Sequence, residues 1–201
     1  LEFLMQRVLA LGAHYDDIEV GVGGILHKHI CKGDEVFIAI TSSDEYRTGN
    51  IDLRHEEQLE ALKILGVSFE NLLLFNEHDN ISDVVGKLDL LKIDNVYTPF
   101  ELDTHQAHRR CSYIGQSVGR KLPIQLGFYN SGSSYNFQPN AFSIIDFDFK
   151  YRLLNCFKSQ IELNAINLSI IQKRESYWAS MITNEDAYAE GIFIRKILYE
   201  V

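Results

Sequence analysis

With 201 residues, 46% of them hydrophobic and 23% charged, the chain has the size and composition of one globular domain with a full core. Its net charge of −9 argues against nucleic acid or an anionic membrane as the main partner. It leaves room for a small phosphorylated ligand held locally by Arg47, Arg54 or Arg109. The three cysteines, Cys31, Cys111 and Cys156, are dispersed and form no CxxC pair, so neither a disulfide framework nor a thiolate zinc site is expected. A reducing, cytoplasmic compartment follows from that usage, and no apolar run approaches the ~20 residues of a spanning helix. Residues 1–4 precede Met5 and read as a cloning remnant, leaving 5–201 as one domain.

In chain order, Arg7 to Ala13 reads as a buried strand. It leads into a helix from about Ile18 to Cys31 with Ile18, Val22, Ile25, Leu26 and Ile30 on one face. Gly33-Asp34 ends that helix and Glu35 to Thr41 is a second strand. Ser42 to Leu53 is a polar loop, and Arg54 to Leu65 a helix stopped by Gly66. Asn71 to Phe75 is the third strand, Ile81 to Lys92 a helix, and Asn95 to Pro99 the fourth strand. Thr104 is the expected N-cap of a helix reaching about Arg120. Strand–helix alternation of this kind predicts a Rossmann-like three-layer α/β sandwich with a mostly parallel central sheet. Beyond Pro123 the pattern changes: strands at Ile124–Tyr129 and Phe142–Phe149, a long helix from Tyr151 to Leu163, a helix at 170–181, and a terminal segment near Ile192 to Tyr199.

Two short segments carry the chemistry. Ala13-His14-Tyr15-Asp16-Asp17 follows the first strand, and Asp103-Thr104-His105-Gln106-Ala107-His108 follows the fourth. Both fall beyond the carboxyl ends of strands, where ligands gather in such sheets. His14, Asp17 and His108 would supply two imidazoles and a carboxylate to a divalent cation, with a position open for water. Asp16 is then placed to take a proton from that water. The bland alternatives are that Asp16 and Asp17 merely cap a helix, and that His105 and His108 are an incidental HxxH. His27, His29, His55 and His78 are expected to be solvated or packing residues. Gly21-Val22-Gly23-Gly24 lacks the third glycine of a dinucleotide fingerprint and lies a turn inside the helix, so close helix–sheet packing explains it better. Tyr135 and Phe137, in the loop 129–137, are either platforms for a sugar ring or packing residues.

These residues resemble the LmbE/PIG-L family of zinc-dependent N-acetylglucosaminyl deacetylases. The family's A-H-P-D-D-x-E is matched by Ala13-His14-Tyr15-Asp16-Asp17-Ile18-Glu19, and its H-x-D-H-R by His105-Gln106-Ala107-His108-Arg109. Arg54-x-x-Glu57 with Ala61 and Leu65-Gly66, then Asn136-Phe137-x-Pro139-Asn140 and Ser159-Gln160, are softer matches. The resemblance implies metal ligation by His14, Asp17 and His108. It implies general-base action by Asp16 on the water the cation activates, and oxyanion stabilisation or amine protonation by His105. Arg54 would contact substrate. The implied cofactor is a divalent metal, Zn2+ first and Fe2+ as the alternative. The implied partner is an N-acetylated sugar, free or linked to a nucleotide or aglycone, which would lose acetyl by amide hydrolysis. Two departures stand out: Tyr15 replaces a proline, and Ala107 replaces the aspartate before the last ligand. Losing such a carboxylate costs about 10–100-fold in metal affinity or activity. Ala107 therefore motivates a second reading, a catalytically weakened sugar-binding protein. Two histidines and a carboxylate also describe a ferrous oxygenase site, a third reading.

Overall fold

The computed structural model describes residues 4–44, 50–120 and 124–196. Its central sheet is built from β1 (Arg7–Gly12), β2 (Glu35–Ile40), β3 (Leu72–Leu74), β4 (Asn95–Pro99), β5 (Gln125–Tyr129), β6 (Ala141–Ile145) and β7 (Tyr188–Lys196). Strand order is β3-β2-β1-β4-β5-β7-β6. The first five are mutually parallel, while β7 runs antiparallel to both β5 and β6. The expected α/β architecture is therefore observed.

Alternation along β1 explains the layers. Val8 and Ala10 enter one apolar cluster with α1 (Asp17–Cys31), α2 (Ile51–Leu65) and α5 (Phe147–Leu154). Leu9 and Leu11 point the other way, toward α3 (Ile81–Asp89) and α4 (Gln106–Gly119). The short α6 (Lys158–Glu162) and α7 (Leu168–Ser180) are the remaining α-helices among the described residues. Gly21, Gly23 and Gly24 let α1 settle onto Tyr129, Leu153 and Ile145; a Cβ at Gly21 would lie 2.1 Å from Tyr129 Cδ2. The packing explanation of those glycines holds.

Helix α1 is broken at Val22, where φ is −141° and ψ is 17°. A buried ionic cluster fills the break. Glu190 accepts from Gly24 N (2.8 Å) and Ile25 N (2.7 Å), capping the second half. Lys150 Nζ donates to Val20 O (3.0 Å), closing the first half, and to Glu175 (2.5 Å) and Glu190 (2.6 Å).

Several boundaries differ from expectation. Residues 147–149 are helical rather than strand, because Asp146 caps Phe149 N at 3.0 Å and starts α5. The anticipated helix 151–163 is split into α5 and α6 around Asn155–Phe157. Helix α2 begins at Ile51, where Asn50 caps Asp52 and Leu53. The N-cap of α4 is His105 rather than Thr104, whose hydroxyl instead donates to Ser133 O. The last segment is β7, ending at Lys196; the expectation for residues 197–199, like that for Arg47, lies outside the described residues.

Candidate active site

Sheet order reverses direction between β1 and β4, and the loops leaving their carboxyl ends meet there. The loop after β1 supplies His14 and Asp16, the first residue of α1 supplies Asp17, the loop after β4 supplies His105 and the start of α4 supplies His108. Ring centroids of His14 and His105 lie 4.8 Å apart, His105 and His108 4.8 Å, and His14 and His108 5.2 Å. One ligand atom each from His14, Asp17 and His108 falls within 4.8 Å of the others, and all three residues are buried.

Neither aspartate is a simple helix cap. Asp16, although at the N-cap position, makes no side-chain cap hydrogen bond. Its backbone sits at φ 106°, a region L-residues rarely adopt. Asp17 turns back rather than along the helix: Oδ2 accepts from Ala13 N and His14 N, each at 2.9 Å. That leaves Oδ1 facing His108 Nε2 at 3.2 Å. On its other side, His108 Nδ1 lies 3.2 Å from Asp103 Oδ1 and 3.0 Å from Ser133 Oγ. Ser133 gives its hydrogen to Asp103 (2.7 Å), so both neighbours of Nδ1 are acceptors and Nδ1 carries the proton. Nε2 then faces the Asp17 carboxylate, an arrangement that a proton on Nε2 satisfies in the metal-free protein and that a cation between the two could take over. Donor atoms about 2.0 Å from a tetrahedral zinc lie about 3.3 Å apart. The donor set therefore fits a divalent metal.

Electrostatics follow from the same contacts. Burial, then the Asp17 charge, pushes the Asp16 carboxyl up to about 8, against the pull of Arg54. Burial alone would raise Asp17, but the His108 and His14 imidazoles hold it well below the usual carboxylate range. Burial would lower His108, but the Asp17 charge and the Asp103 contact lift it to about 10 without metal.

A cavity of about 490 Å³ opens over these groups, a volume typical of small-molecule sites. It is lined by His14, Asp16, Asp17, Arg54, His105 and His108 on one side. Ser131 to Ser133 form another wall, and Gln160, the segment 164–167, Ile170, Ile171 and Arg174 a third. Arg54 is buried, donating to Tyr15 O at 2.8 Å and standing 3.7 Å from Asp16 Oδ2. Tyr15, at the position of the family's proline, is buried, and its hydroxyl lies 3.2 Å from His55 Nδ1. His105 Nδ1 accepts from Ala107 N at 3.3 Å.

Other expectations fare differently. Arg109 is committed to the carbonyls of Asp103 and Thr104 and does not line the cavity. Phe137 packs between Phe100 and Trp178, as the packing reading has it, whereas Tyr135 is 48% exposed and lies outside the cavity. His29 bridges Asp34 (2.7 Å) and Tyr97 (3.0 Å), and His27 stacks on Phe149, both as packing residues. Sequence reasoning assigned no role to Asp103, Ser133, Asn167 or Arg174. Only Asp103 carried a signal, lying two residues before His105 in a segment already singled out.

The family model described as "PIG-L: GlcNAc-PI de-N-acetylase" matches residues 9–118. The uncharacterized deacetylase YaiS of Escherichia coli (strain K12) is 32% identical over 150 residues, covering 69% of this chain and 81% of that protein. The conserved protein TT1542 from Thermus thermophilus has the same fold, with a TM-score of 0.79 at 23% identity over 98% of both chains. So does N,N'-diacetylchitobiose deacetylase from Pyrococcus horikoshii, with a TM-score of 0.77 at 20% identity over 94% of this chain and 83% of that one. On the family match and the identity to YaiS together, the chain belongs to the PIG-L (LmbE-like) family of deacetylases.

Proposed function

We propose that the protein is a metal-dependent amide hydrolase that removes acetyl from an N-acetylated amino sugar or its conjugate. One observation carries this reading: the three candidate ligands, two further ionisable groups and Arg54 all line one cavity at the switch point of the sheet. His14, Asp17 and His108 would hold the cation. A divalent ion there would polarise the amide carbonyl and bring the pKa of a water to about 7. Asp16, lining the same cavity beside the candidate ligands, would take the proton from the attacking water. His105 would donate a hydrogen bond to the developing oxyanion or a proton to the departing amine, whose loss needs one. Arg54, fixed by the Tyr15 carbonyl, would meet the polar face of the sugar. Zn2+ is the metal we favour, because imidazole and carboxylate suit it. The diacetylchitobiose deacetylase named above shares this fold, which supports an N-acetyl sugar as substrate.

The test is acetate release from a panel of N-acetylated sugars and their nucleotide- and aglycone-linked forms. Activity is expected to vanish with chelator and return with Zn2+. Asp16→Asn is expected to lower kcat by about 10²–10⁴-fold. Full activity in chelator would refute the metal dependence, and full activity in Asp16→Asn would remove Asp16 from its role.

A further inference from the structure

Asp103 follows β4 and is 1% exposed, yet it is surrounded by donors. Oδ1 accepts from His105 N (2.8 Å) and Ser133 Oγ (2.7 Å), beside His108 Nδ1 at 3.2 Å. Oδ2 accepts from Ser131 Oγ and from Ser134 Oγ at 3.1 Å. Five donors on a group with about four lone-pair sites leave it only as an ionised acceptor. Backbone contacts lock the same two loops together: Thr104 N donates to Ser133 O, and Tyr135 N to Leu102 O.

The family pattern places a carboxylate at position 107, where this chain has Ala107. That methyl lies buried in the apolar cluster with Leu11, Phe100 and Cys111, and it does not line the cavity. A carboxylate does lie beside His108, that of Asp103, five residues earlier. Resting on the metal reading above, we propose that Asp103, with Ser133, is the positioning residue of the cation site: it anchors His108 Nδ1 so that Nε2 faces Asp17. Because Ser131, Gly132 and Ser133 also line the cavity, the anchor joins a metal ligand to the wall that meets substrate. A carboxylate on the far nitrogen of a ligating imidazole fixes its tautomer and raises its basicity.

The experiment measures the Zn2+ dissociation constant by chelator competition, and the Co2+ absorption spectrum, for the wild-type chain, Asp103→Asn and Ser133→Ala. Melting of each chelator-treated protein is followed in parallel. Asp103→Asn keeps one oxygen as acceptor for His105 N and Ser133, presents an NH2 that the Ser131 and Ser134 hydroxyls can accept, and loses the charge. It is expected to bind Zn2+ about 10–100-fold more weakly, with an altered Co2+ spectrum and a metal-free melting point close to wild type. Ser133→Ala, which leaves Asp103 in place, is expected to weaken binding less; it serves if Asp103→Asn does not fold. Wild-type affinity and spectrum in either folded variant would overturn the positioning role. So would a loss explained wholly by lower metal-free stability. A wild-type chain that binds neither metal would instead overturn the metal reading, and this inference with it.

Discussion

Lys150→Met tests the buried ionic cluster that holds the break in α1, one turn beyond Asp17. Lys150, Glu175 and Glu190 are all fully buried. Removing the ammonium leaves two carboxylates with Arg174 at 3.2 Å from Glu175 as the remaining charged partner. Breaking a buried pair by deleting one member costs about 3–5 kcal/mol. For a chain of this length each kcal/mol moves the melting point by about 2–4 °C, so a drop of about 6–20 °C is expected at pH 8. The deficit has a defined pH dependence. Burial already raises Glu190 above its ordinary 4.5 despite Lys150, and the variant raises it further. A carboxyl raised on folding loses stability as pH climbs from its unfolded value through its folded one. The deficit should therefore be small below about pH 4.5 and widen to a plateau above the folded value. Urea titrations of both proteins across that range read it directly, and Lys150→Met combined with Glu190→Gln should recover part of the loss. A variant within about 1 kcal/mol of wild type at pH 8 would refute the reasoning, as would a deficit that does not change with pH.

Two further outcomes are expected. In the metal-free protein His108 is held at about 10, so a metal binding at pH 7–9 must displace its proton. The apparent Zn2+ affinity should tighten about tenfold per pH unit, and calorimetry in buffers of different ionisation enthalpy should show release of at least one proton; buffer-independent heats would contradict it. Gly21→Ala drives a methyl into the Tyr129 ring, whose hydroxyl donates to Leu11 O at 2.7 Å. Overpacking of that kind costs about 1–3 kcal/mol, a melting drop of about 2–12 °C; an unchanged melting point would show that the helix–sheet contact is looser than described.

Local patterns were sufficient for the layered architecture. Strand–helix alternation and the turn residues Gly33 and Gly66, both at positive φ, placed the first five strands and their helices within a few residues. The region after Pro123 was harder, because Phe147-Asp148-Phe149 alternates like a strand and only the cap from Asp146 makes it helical. The two candidate site segments were likewise legible, since the residue types and their places after β1 and β4 are properties of the chain itself.

What only the tertiary structure decided is how those segments are held. From sequence, Ala107 reads as a missing carboxylate; in three dimensions Asp103 lies against His108 and collects hydroxyls from a loop almost thirty residues away. Likewise nothing local pairs Lys150 with Glu175 and Glu190, or links any of them to the break at Val22. Periodicity and capping are short-range effects, so they can be read along the chain. A buried polar group is satisfied by whichever distant donors the packed layers bring within about 3 Å, and that choice exists only after folding.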